Sequence, residues 1–302
     1  MGSGARPRRH HIVPQVILKG FADGRGHVRI TSKDGRTTGI QNIRTVSVRR
    51  DANTLQTDAG RDFELEILLS KAENQFPDVI ASLDLPHRTK DQDRAILGLV
   101  AIQFARDPHH RAWIREEVES IRVALAAALR DENPGVTHEE IAEEFEYYGK
   151  RDIVQSHVIL DAENVAIAGT AFLLQRAFEQ IDGLNLAVLR AGAPGFITCD
   201  SPVFLFDRYV LADRMDDEAL AAPVPPETEI TMPITSRHLA LVTAKPLSGV
   251  LIDVSADVVA IANARTARSA VNEVYCNPGY PMAKLQTDRS EWWWRRAILD
   301  TL

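Results

Sequence analysis

Residues 95–102 read Ala95-Ile96-Leu97-Gly98-Leu99-Val100-Ala101-Ile102, an apolar run inside a longer stretch, Asp91–Arg106, whose two ends are charged. A helix that is apolar on every side is surrounded by other parts of a protein core. We therefore place a buried central helix at Asp91–Arg106 and expect the rest of the fold to pack around it.

Helical periodicity extends on both sides of this run, from about residue 61 to residue 180. A threonine followed three residues later by a glutamate is the pattern of a capping box, which marks one of the helix starts. Besides the central helix, we expect helices at Phe63–Phe76, from Pro108 to about Leu129, from the Thr137–Glu140 capping box onwards, and at about Asp161–Ile181.

Short β-rich runs flank the helical block at both ends of the chain. On the N-terminal side, Asp34-Gly35 is a strong turn dipeptide between His27–Thr31 and Thr45–Val48, in which polar and apolar residues alternate. On the C-terminal side, strands such as Leu186–Arg190 precede a last helix, which we expect at Asp257–Val274. This order predicts an α+β fold in which N-terminal and C-terminal strands meet in one domain.

We place the boundaries at a flexible arm (residues 1–9), a single α+β domain (residues 10–280) and a Trp-rich tail (residues 281–302). The tail contains Trp292–Trp294, which we expect to form a terminal latch or an oligomer contact. The acidic, proline-rich stretch Asp207–Pro226 is expected to have little regular structure and to cover the rim of a pocket.

The composition is that of a soluble globular protein, with 45% hydrophobic and 25% charged residues. No apolar run approaches the roughly 20 residues needed to span a bilayer. No apolar signal segment follows the basic start of the chain, so we expect a cytoplasmic protein. Cys199 and Cys276 lie far apart without metal-ligand spacing, which favours neither a disulfide framework nor a zinc knuckle.

The net charge of −7 argues against broad, non-specific binding to nucleic acid, because phosphate contacts require clustered Lys and Arg. Acidic residues concentrate at Glu139–Glu146, which is typical of a solvated helix face. Basic residues cluster at Arg6–Arg9 and at Arg49-Arg50, however, so a local basic patch leaves nucleic acid open as a partner.

The segment His10–Gln15 places two histidines before Pro14, which we expect at the first position of a short apolar helix. His11 is a candidate general base or metal ligand, and Gln15 is a candidate substrate-binding residue. The alternative is that the histidine caps the helix and holds it on the core. The segment resembles the start of a His-Asn-His nuclease motif, but the second histidine does not follow at the required span.

The end of the central helix carries Gln103 and Arg106 on one face, and Arg111 follows in the next helix. An arginine that points inward from a buried helix needs a carboxylate or a ligand anion, because an unpaired buried charge is costly. Arg106 therefore either forms a structural ion pair, with Glu73 or Asp200 as its acid, or binds an anionic substrate.

Asp200 ends a hydrophobic strand, and Ser201 and Pro202 turn the chain at that point. An aspartate in this position can bind a metal or orient a histidine. The alternative is that it stabilises the turn. Ser201 is a candidate binding residue rather than a nucleophile, because no Gly-x-Ser-x-Gly motif surrounds it.

Five of these segments occur in an order that resembles a family of mostly bacterial proteins known only as domain of unknown function 4238. The resemblance extends over about residues 10–278, and the shared order of the motifs is more specific than any one of them. It implies no activity. The segments are His11–Phe21, Glu66–Glu73, Gln103–Arg111, Phe196–Val203 and Pro233–Leu239, followed by a helix that ends at Tyr275.

Two functional hypotheses follow. The first is a hydrolase, metal-dependent or based on histidine and aspartate, that acts on a small or phosphate-containing anion. The second is a non-catalytic sensor or binding protein that uses the same polar cluster for recognition or for structure. A divalent metal is compatible with the first hypothesis. The candidate residues are His11, Asp200 and Glu73 for catalysis, and Gln15, Gln103, Arg106, Arg111 and Ser201 for substrate binding.

Overall fold

A computed structural model describes residues 9–57, 60–137, 140, 162–206, 228–247 and 250–281. Several expectations fall on residues outside these ranges: the Asp207–Pro226 loop, the Trp292–Trp294 contact, the arm before Arg9 and, apart from Glu140, the helix expected after Thr137 with its acidic Glu139–Glu146 face. The described part is a mixed α+β structure, as the sequence predicted. None of its helices is both long and apolar enough to cross a membrane.

The central helix is confirmed. It begins after Thr89, whose side chain accepts a hydrogen bond from the backbone of Gln92 while the Gln92 side chain accepts one from the backbone of Thr89. Ile96 and Leu99 are fully buried. The described helices are α1 (Gln15–Lys19), α2 (Glu64–Glu73), α3 (Phe76–Ser82), α4 (Lys90–Ala105), α5 (Pro108–Glu132), α6 (Ala162–Ile181) and α7 (Ala256–Ser269).

The helix expected at Phe63–Phe76 is wrong in one respect, because the structure divides this region into α2 and α3. Pro77 lies in the first turn of α3, where a proline is compatible with a helix start but not with the interior of a longer helix. The capping box of Thr137 and Glu140 is present, since the backbone of each residue donates a hydrogen bond to the side chain of the other.

The described strands form two larger sheets and two short pairs. One sheet has the order β12-β7-β11-β10-β9, the other has the order β3-β2-β13-β8, and β1-β4 and β5-β6 are pairs. The strands are β1 (Arg9–His11), β2 (His27–Ser32), β3 (Thr38–Asn42), β4 (Val48–Arg50), β5 (Leu55–Thr57), β6 (Gly60–Asp62), β7 (Asn185–Arg190), β8 (Thr198–Cys199), β9 (Phe204–Phe206), β10 (Glu229–Pro233), β11 (His238–Thr243), β12 (Leu251–Asp253) and β13 (Glu273–Cys276).

N-terminal and C-terminal strands meet in the four-stranded sheet. β13 pairs antiparallel with β2, with Tyr275 opposite Ile30, so the predicted meeting of N-terminal and C-terminal strands is confirmed. The predicted strand at Thr45–Val48 is wrong, because the chain turns there and β4 begins only at Val48.

The last helix was predicted too long. It ends at Ser269, Ala270 has an extended backbone, and the predicted helical end at Val274 is instead inside β13. The physical reason lies in a distant residue. The carboxylate of Asp200 accepts hydrogen bonds from the backbone N–H groups of Val271 and Asn272, which hold the chain in a turn.

Candidate functional site

The N-terminal histidines lie on β1, immediately before α1. Pro14 is the residue before the first turn rather than its first helical residue, a shift of one position from the prediction. α1 has only five residues. Backbone pairing of β1 with β4, with His10 opposite Arg49, fixes where the two imidazoles lie.

His11 is half-buried and is oriented by the chain around it. Its Nδ1 lies 3.1 Å from the carbonyl oxygen of Val46, which can only accept a hydrogen bond, so Nδ1 carries the proton. Its Nε2 lies 2.7 Å from the side-chain nitrogen of Gln15 and accepts a hydrogen bond from it. His11 is therefore a neutral imidazole with its basic nitrogen on the Gln15 side.

His10 is buried and belongs to a different network. Its Nδ1 accepts a hydrogen bond of 3.0 Å from the backbone of Asn53 and lies 3.6 Å from a carboxylate oxygen of Glu66. The Asn53 amide in turn donates to Glu66 at 2.7 Å and accepts from Arg111 at 2.7 Å. Asn53 thus joins an acid on α2 to an arginine on α5.

Arg106 occupies the position that the structural interpretation expects. It is 2% exposed, and its Nη1 lies 2.6 Å from a carboxylate oxygen of Glu73, whose side chain is 30% exposed. The N–H bonds of Nη1 are not aligned with that oxygen, so the contact is an ion pair without a hydrogen bond. The Nε of Arg106 has no hydrogen-bond partner among the described residues.

Two neighbours of Arg106 also have buried nitrogens that lack an acceptor in the described part of the chain. They are Nε2 of Gln103, on the preceding turn of α4, and Nε of Arg111, in the first turn of α5. A buried N–H without an acceptor costs about 1–3 kcal/mol, and most native interiors contain few of them. Three such side chains within nine residues therefore mark the α4–α5 junction as unusual.

Arg111 is the least compensated charge of the group. It is 3% exposed and donates to the carbonyl oxygen of Ala52 and to the side-chain oxygen of Asn53, which are both neutral acceptors. Burial and, secondarily, the nearby charge of Arg106 lower the pKa of Arg111 to about 10. The side chain is still protonated at neutral pH, and no described carboxylate lies within 4 Å of it.

The Asp200–Ser201 turn lies against the same junction, but its side-chain polar atoms already form hydrogen bonds with other residues of the protein. Asp200 accepts three hydrogen bonds from the turn after α7, two from backbone N–H groups and one from the Asn272 side chain. Ser201 is fully buried and donates to the carboxylate of Asp107 at 2.6 Å. Through these contacts both residues hold α5, β8 and α7 together.

The contacts of the predicted site residues therefore divide them into separate groups. Direct contacts join Arg106 to Glu73, His11 to Gln15, and Ser201 to Asp107. Of the predicted residues, Asp200 also lines a cleft of about 320 Å³ together with Val46, Ser47 and Glu273. No group of three or more His, Cys, Asp or Glu that could hold a metal occurs among the described residues.

Sequence reasoning missed Asn53, Glu66 as its partner, and Asp107. Asp107 could have been predicted from the sequence, because aspartate is common at a helix start and this one comes immediately before Pro108. In the structure it accepts a hydrogen bond from the backbone N–H of His109. Asn53 carries no local motif, since its role depends on partners on α2 and α5.

Comparison with known proteins identifies one family. No curated protein and no solved structure matches the chain. A family model does match, over residues 9–279, which includes β1, the α4–α5 junction and the Asp200 turn. The chain therefore belongs to the family described as a protein of unknown function, DUF4238.

Proposed function

We propose that this protein binds a small anion of the phosphate or carboxylate kind in its interior, beside the α4–α5 junction. The observation that carries this proposal is the buried guanidinium of Arg111, which has neutral hydrogen-bond acceptors and no described carboxylate partner. Burial of an unpaired charge costs several kcal/mol, and an anion bound beside it would offset that cost.

The neighbouring groups suit the same ligand. Among the described residues, a buried nitrogen in each of Gln103, Arg106 and Arg111 has no acceptor. Arginine presents N–H groups in a planar fork that matches the oxygens of carboxylates and phosphates. Because Glu73 already compensates Arg106, and Glu66 reaches Arg111 only through Asn53, the remaining positive charge of the group is that of Arg111.

Hydrolysis of the bound anion is the second candidate function, and the orientation of His11 supports it. The Val46 carbonyl fixes the proton on Nδ1, so Nε2 is the basic nitrogen of this half-buried side chain, and a water molecule would have to displace the Gln15 amide that donates to it. A general base must have such a nitrogen available to take a proton from water. In this scheme His11 is the base and Arg111 binds the anion, whereas Asp200 and Ser201 hold the fold.

Thermal unfolding in phosphate tests the binding proposal. The melting temperature of the wild type is measured in increasing phosphate at constant ionic strength, with chloride as the balancing salt. We expect phosphate to raise it, since a ligand at about 100 times its Kd stabilises a protein by about 2.7 kcal/mol. Sulfate and acetate series follow, which separate phosphate-like from carboxylate-like ligands.

Gln103→Leu is the discriminating variant, because leucine has a similar volume and removes a buried nitrogen that has no described partner. It should fold at least as stably as the wild type without phosphate and show a smaller phosphate response. Thr266→Val on α7 is the matched control, since it also removes a buried polar group and should respond like the wild type. Equal responses to phosphate, sulfate, acetate and chloride in the wild type would refute the proposal.

The hydrolase candidate is tested with p-nitrophenyl phosphate and p-nitrophenyl acetate. We expect His11→Gln to lose turnover while keeping the phosphate response, because glutamine can replace the hydrogen bonds of the imidazole but not its basicity. Turnover that survives in His11→Gln would remove this histidine from the reaction.

A further inference from the structure

The four-stranded sheet has an exposed edge at β3. The first four residues of this strand are exposed, and Ile40 in its middle is 58% exposed. The other edge of the same sheet is β8, which has only two residues, both buried. β3 is therefore the edge of this sheet that another polypeptide can reach.

Alternate residues of β3 direct their backbone groups away from the sheet. The N–H of Ser32 donates a hydrogen bond to the carbonyl oxygen of Thr37, immediately before β3. In an antiparallel pair, residues that bond to the neighbouring strand alternate with residues that point away from it. The N–H and C=O groups of Thr38 and Ile40 therefore face outward, as do those of Asn42.

The other end of the hairpin follows the same alternation. Ile43, immediately after β3, donates its N–H to the carbonyl oxygen of Gly26 on the β2 side. The outward carbonyl of Asn42 accepts hydrogen bonds from the backbone and the hydroxyl of Thr45. The free edge therefore comprises both backbone groups of the two preceding outward residues and the N–H of Asn42.

β3 lacks the features that usually protect the edge of a sheet. Exposed edges are commonly shielded by a proline, by charged side chains or by a bulge. The strand Thr38–Asn42 contains neither a proline nor a charged residue, and it pairs with β2 without interruption. A further strand can therefore pair with this edge through its main chain.

The charge beside this edge selects the kind of strand that fits it. Residues 35–50 contain four arginines and no acidic residue. Arg36 precedes β3 and lies 3.6 Å from Asp34 in an exposed pair, which contributes little energy. Arg44 follows β3 and has no carboxylate oxygen within 4 Å in the part of the chain that the structure describes.

The other acids of this region do not neutralise Arg44. Asp23 accepts hydrogen bonds from the backbone of Arg25 and His27, and it lies 3.7 Å from the His27 imidazole. Glu273 is on β13, which β2 separates from β3, so its backbone is two strand spacings, about 10 Å, from the edge. Salt screens exposed charges over such a distance.

The same charges disfavour a second copy of this chain as the partner. If two β3 strands pair antiparallel about Ile40, Arg36 of each copy lies opposite Arg44 of the other. Like charges directly opposite one another destabilise a strand pair. A strand with acidic residues at those positions has the opposite effect.

We propose that β3 pairs with an extended segment of another protein, which has a β-branched centre and acidic residues beside it. The added strand takes up the outward N–H and C=O groups, which provide affinity for any extended main chain. A β-branched side chain opposite Ile40 covers its exposed surface. The acidic residues face Arg36 and Arg44 and distinguish this partner from a neutral or basic strand.

Fluorescence anisotropy of three labelled peptides, titrated with the full chain at low salt, tests the proposal. The acidic peptide is Glu-Glu-Thr-Val-Thr-Val-Thr-Glu-Glu, the basic peptide has Lys in place of Glu, and the third is the acidic peptide with Pro in place of Val. We expect the acidic peptide to bind at least tenfold more tightly than the basic one. The proline peptide has the same charge but cannot pair as a strand, so it should not bind.

Ile40→Pro removes one outward N–H and leaves the hydrogen bonds to β2 in place, because proline is tolerated on an edge strand. It should weaken binding of the acidic peptide at least tenfold, whereas Ile40→Thr, which keeps the N–H, should change it by less than about threefold. Arg44→Gln should weaken it by about two- to fivefold, the range of one exposed ion pair. Lys71→Gln on α2 makes the same change in charge at an exposed position and should bind like the wild type.

If Ile40→Pro does not fold, the comparison of the acidic and proline peptides on the wild type decides alone. The proposal is overturned if the acidic peptide does not bind at about 1 mM, or if the proline or basic peptide binds as tightly. Sedimentation velocity of the free chain tests the other occupant. A dimer that dissociates in Ile40→Pro or Arg44→Glu would place a second copy on this edge and overturn the assignment to an acidic partner.

Discussion

Substitution of Arg106 separates a structural from a ligand-binding role at the α4–α5 junction. Arg106→Ala removes two buried methylene groups, worth about 1.6 kcal/mol. The space left by the rest of the side chain adds about 1–2 kcal/mol. Glu73 loses its partner but is 30% exposed, so water limits that loss to about 1 kcal/mol. Removal of the unpartnered Nε offsets about 1 kcal/mol, and we expect a net loss near 3 kcal/mol.

Arg106→Met is the matched control, because its unbranched thioether fills the space of the methylene groups and the guanidinium is removed. We expect it to cost about 1 kcal/mol, since the ion pair is partly solvated at Glu73. Urea unfolding of the wild type, both variants and Glu73→Gln gives the free energies and the coupling between the two residues. Equal costs for Arg106→Ala and Arg106→Met would refute this reasoning, because packing would then contribute nothing. If Arg106→Ala is severely destabilised and the melting temperature of the wild type does not respond to anions, Arg106 is a purely structural residue.

Two further predictions concern residues outside this junction. Asp200→Asn should lower the free energy of unfolding by about 2–3 kcal/mol, because each carboxylate oxygen accepts one backbone N–H of the turn and an amide has only one oxygen. Asp34 is exposed and also accepts a backbone N–H, so Asp34→Asn should cost less than about 1 kcal/mol. A loss at position 200 as small as that at position 34 would contradict this account. Burial, together with the charges of Arg237 and Arg190, lowers the pKa of His238 although Asp84 raises it, so the unfolded chain takes up the proton first and stability falls as the pH drops below about 6.5. Urea unfolding at pH 7.5 and 5.5 should show a smaller loss in His238→Gln than in the wild type, and equal losses would exclude His238 as a source of this pH dependence.

The parts of the fold that follow from short-range patterns could be predicted from the sequence. The apolar run Ala95–Ile102 defined α4, and the Asp34-Gly35 dipeptide defined the β2–β3 turn. β13 could not be predicted in this way. The alanine-rich periodicity of α7 continues toward Val274, and what ends the helix is a carboxylate about 70 residues earlier in the chain. Residues that are ordered by such distant contacts leave no local signal.

The candidate site shows the same division. The requirement that a buried arginine needs a partner predicted either an acid, Glu73 or Asp200, or a ligand anion beside Arg106, and the structure shows Glu73 there. The same reasoning applies to Arg111, but its neutral contacts come from Ala52 and Asn53, on a loop whose position depends on β4 and α2. Sequence placed Arg106 inside the protein and made Arg111 a binding candidate, but only the structure distinguishes the compensated charge from the uncompensated one.

That distinction decides where a ligand should be sought. Arg106 and Arg111 lie close enough for the charge of one to lower the pKa of the other, yet only Arg106 has a described carboxylate beside it. If both were structural, replacement of Arg111 by an apolar residue would remove the cost of its buried charge but leave the carbonyl of Ala52 and the side-chain oxygen of Asn53 without their donor. If Arg111 binds an anion, the same position carries the charge on which affinity depends. The free energy that the free protein loses by burying the Arg111 charge is then recovered when a negatively charged ligand binds, which makes the site selective for anions.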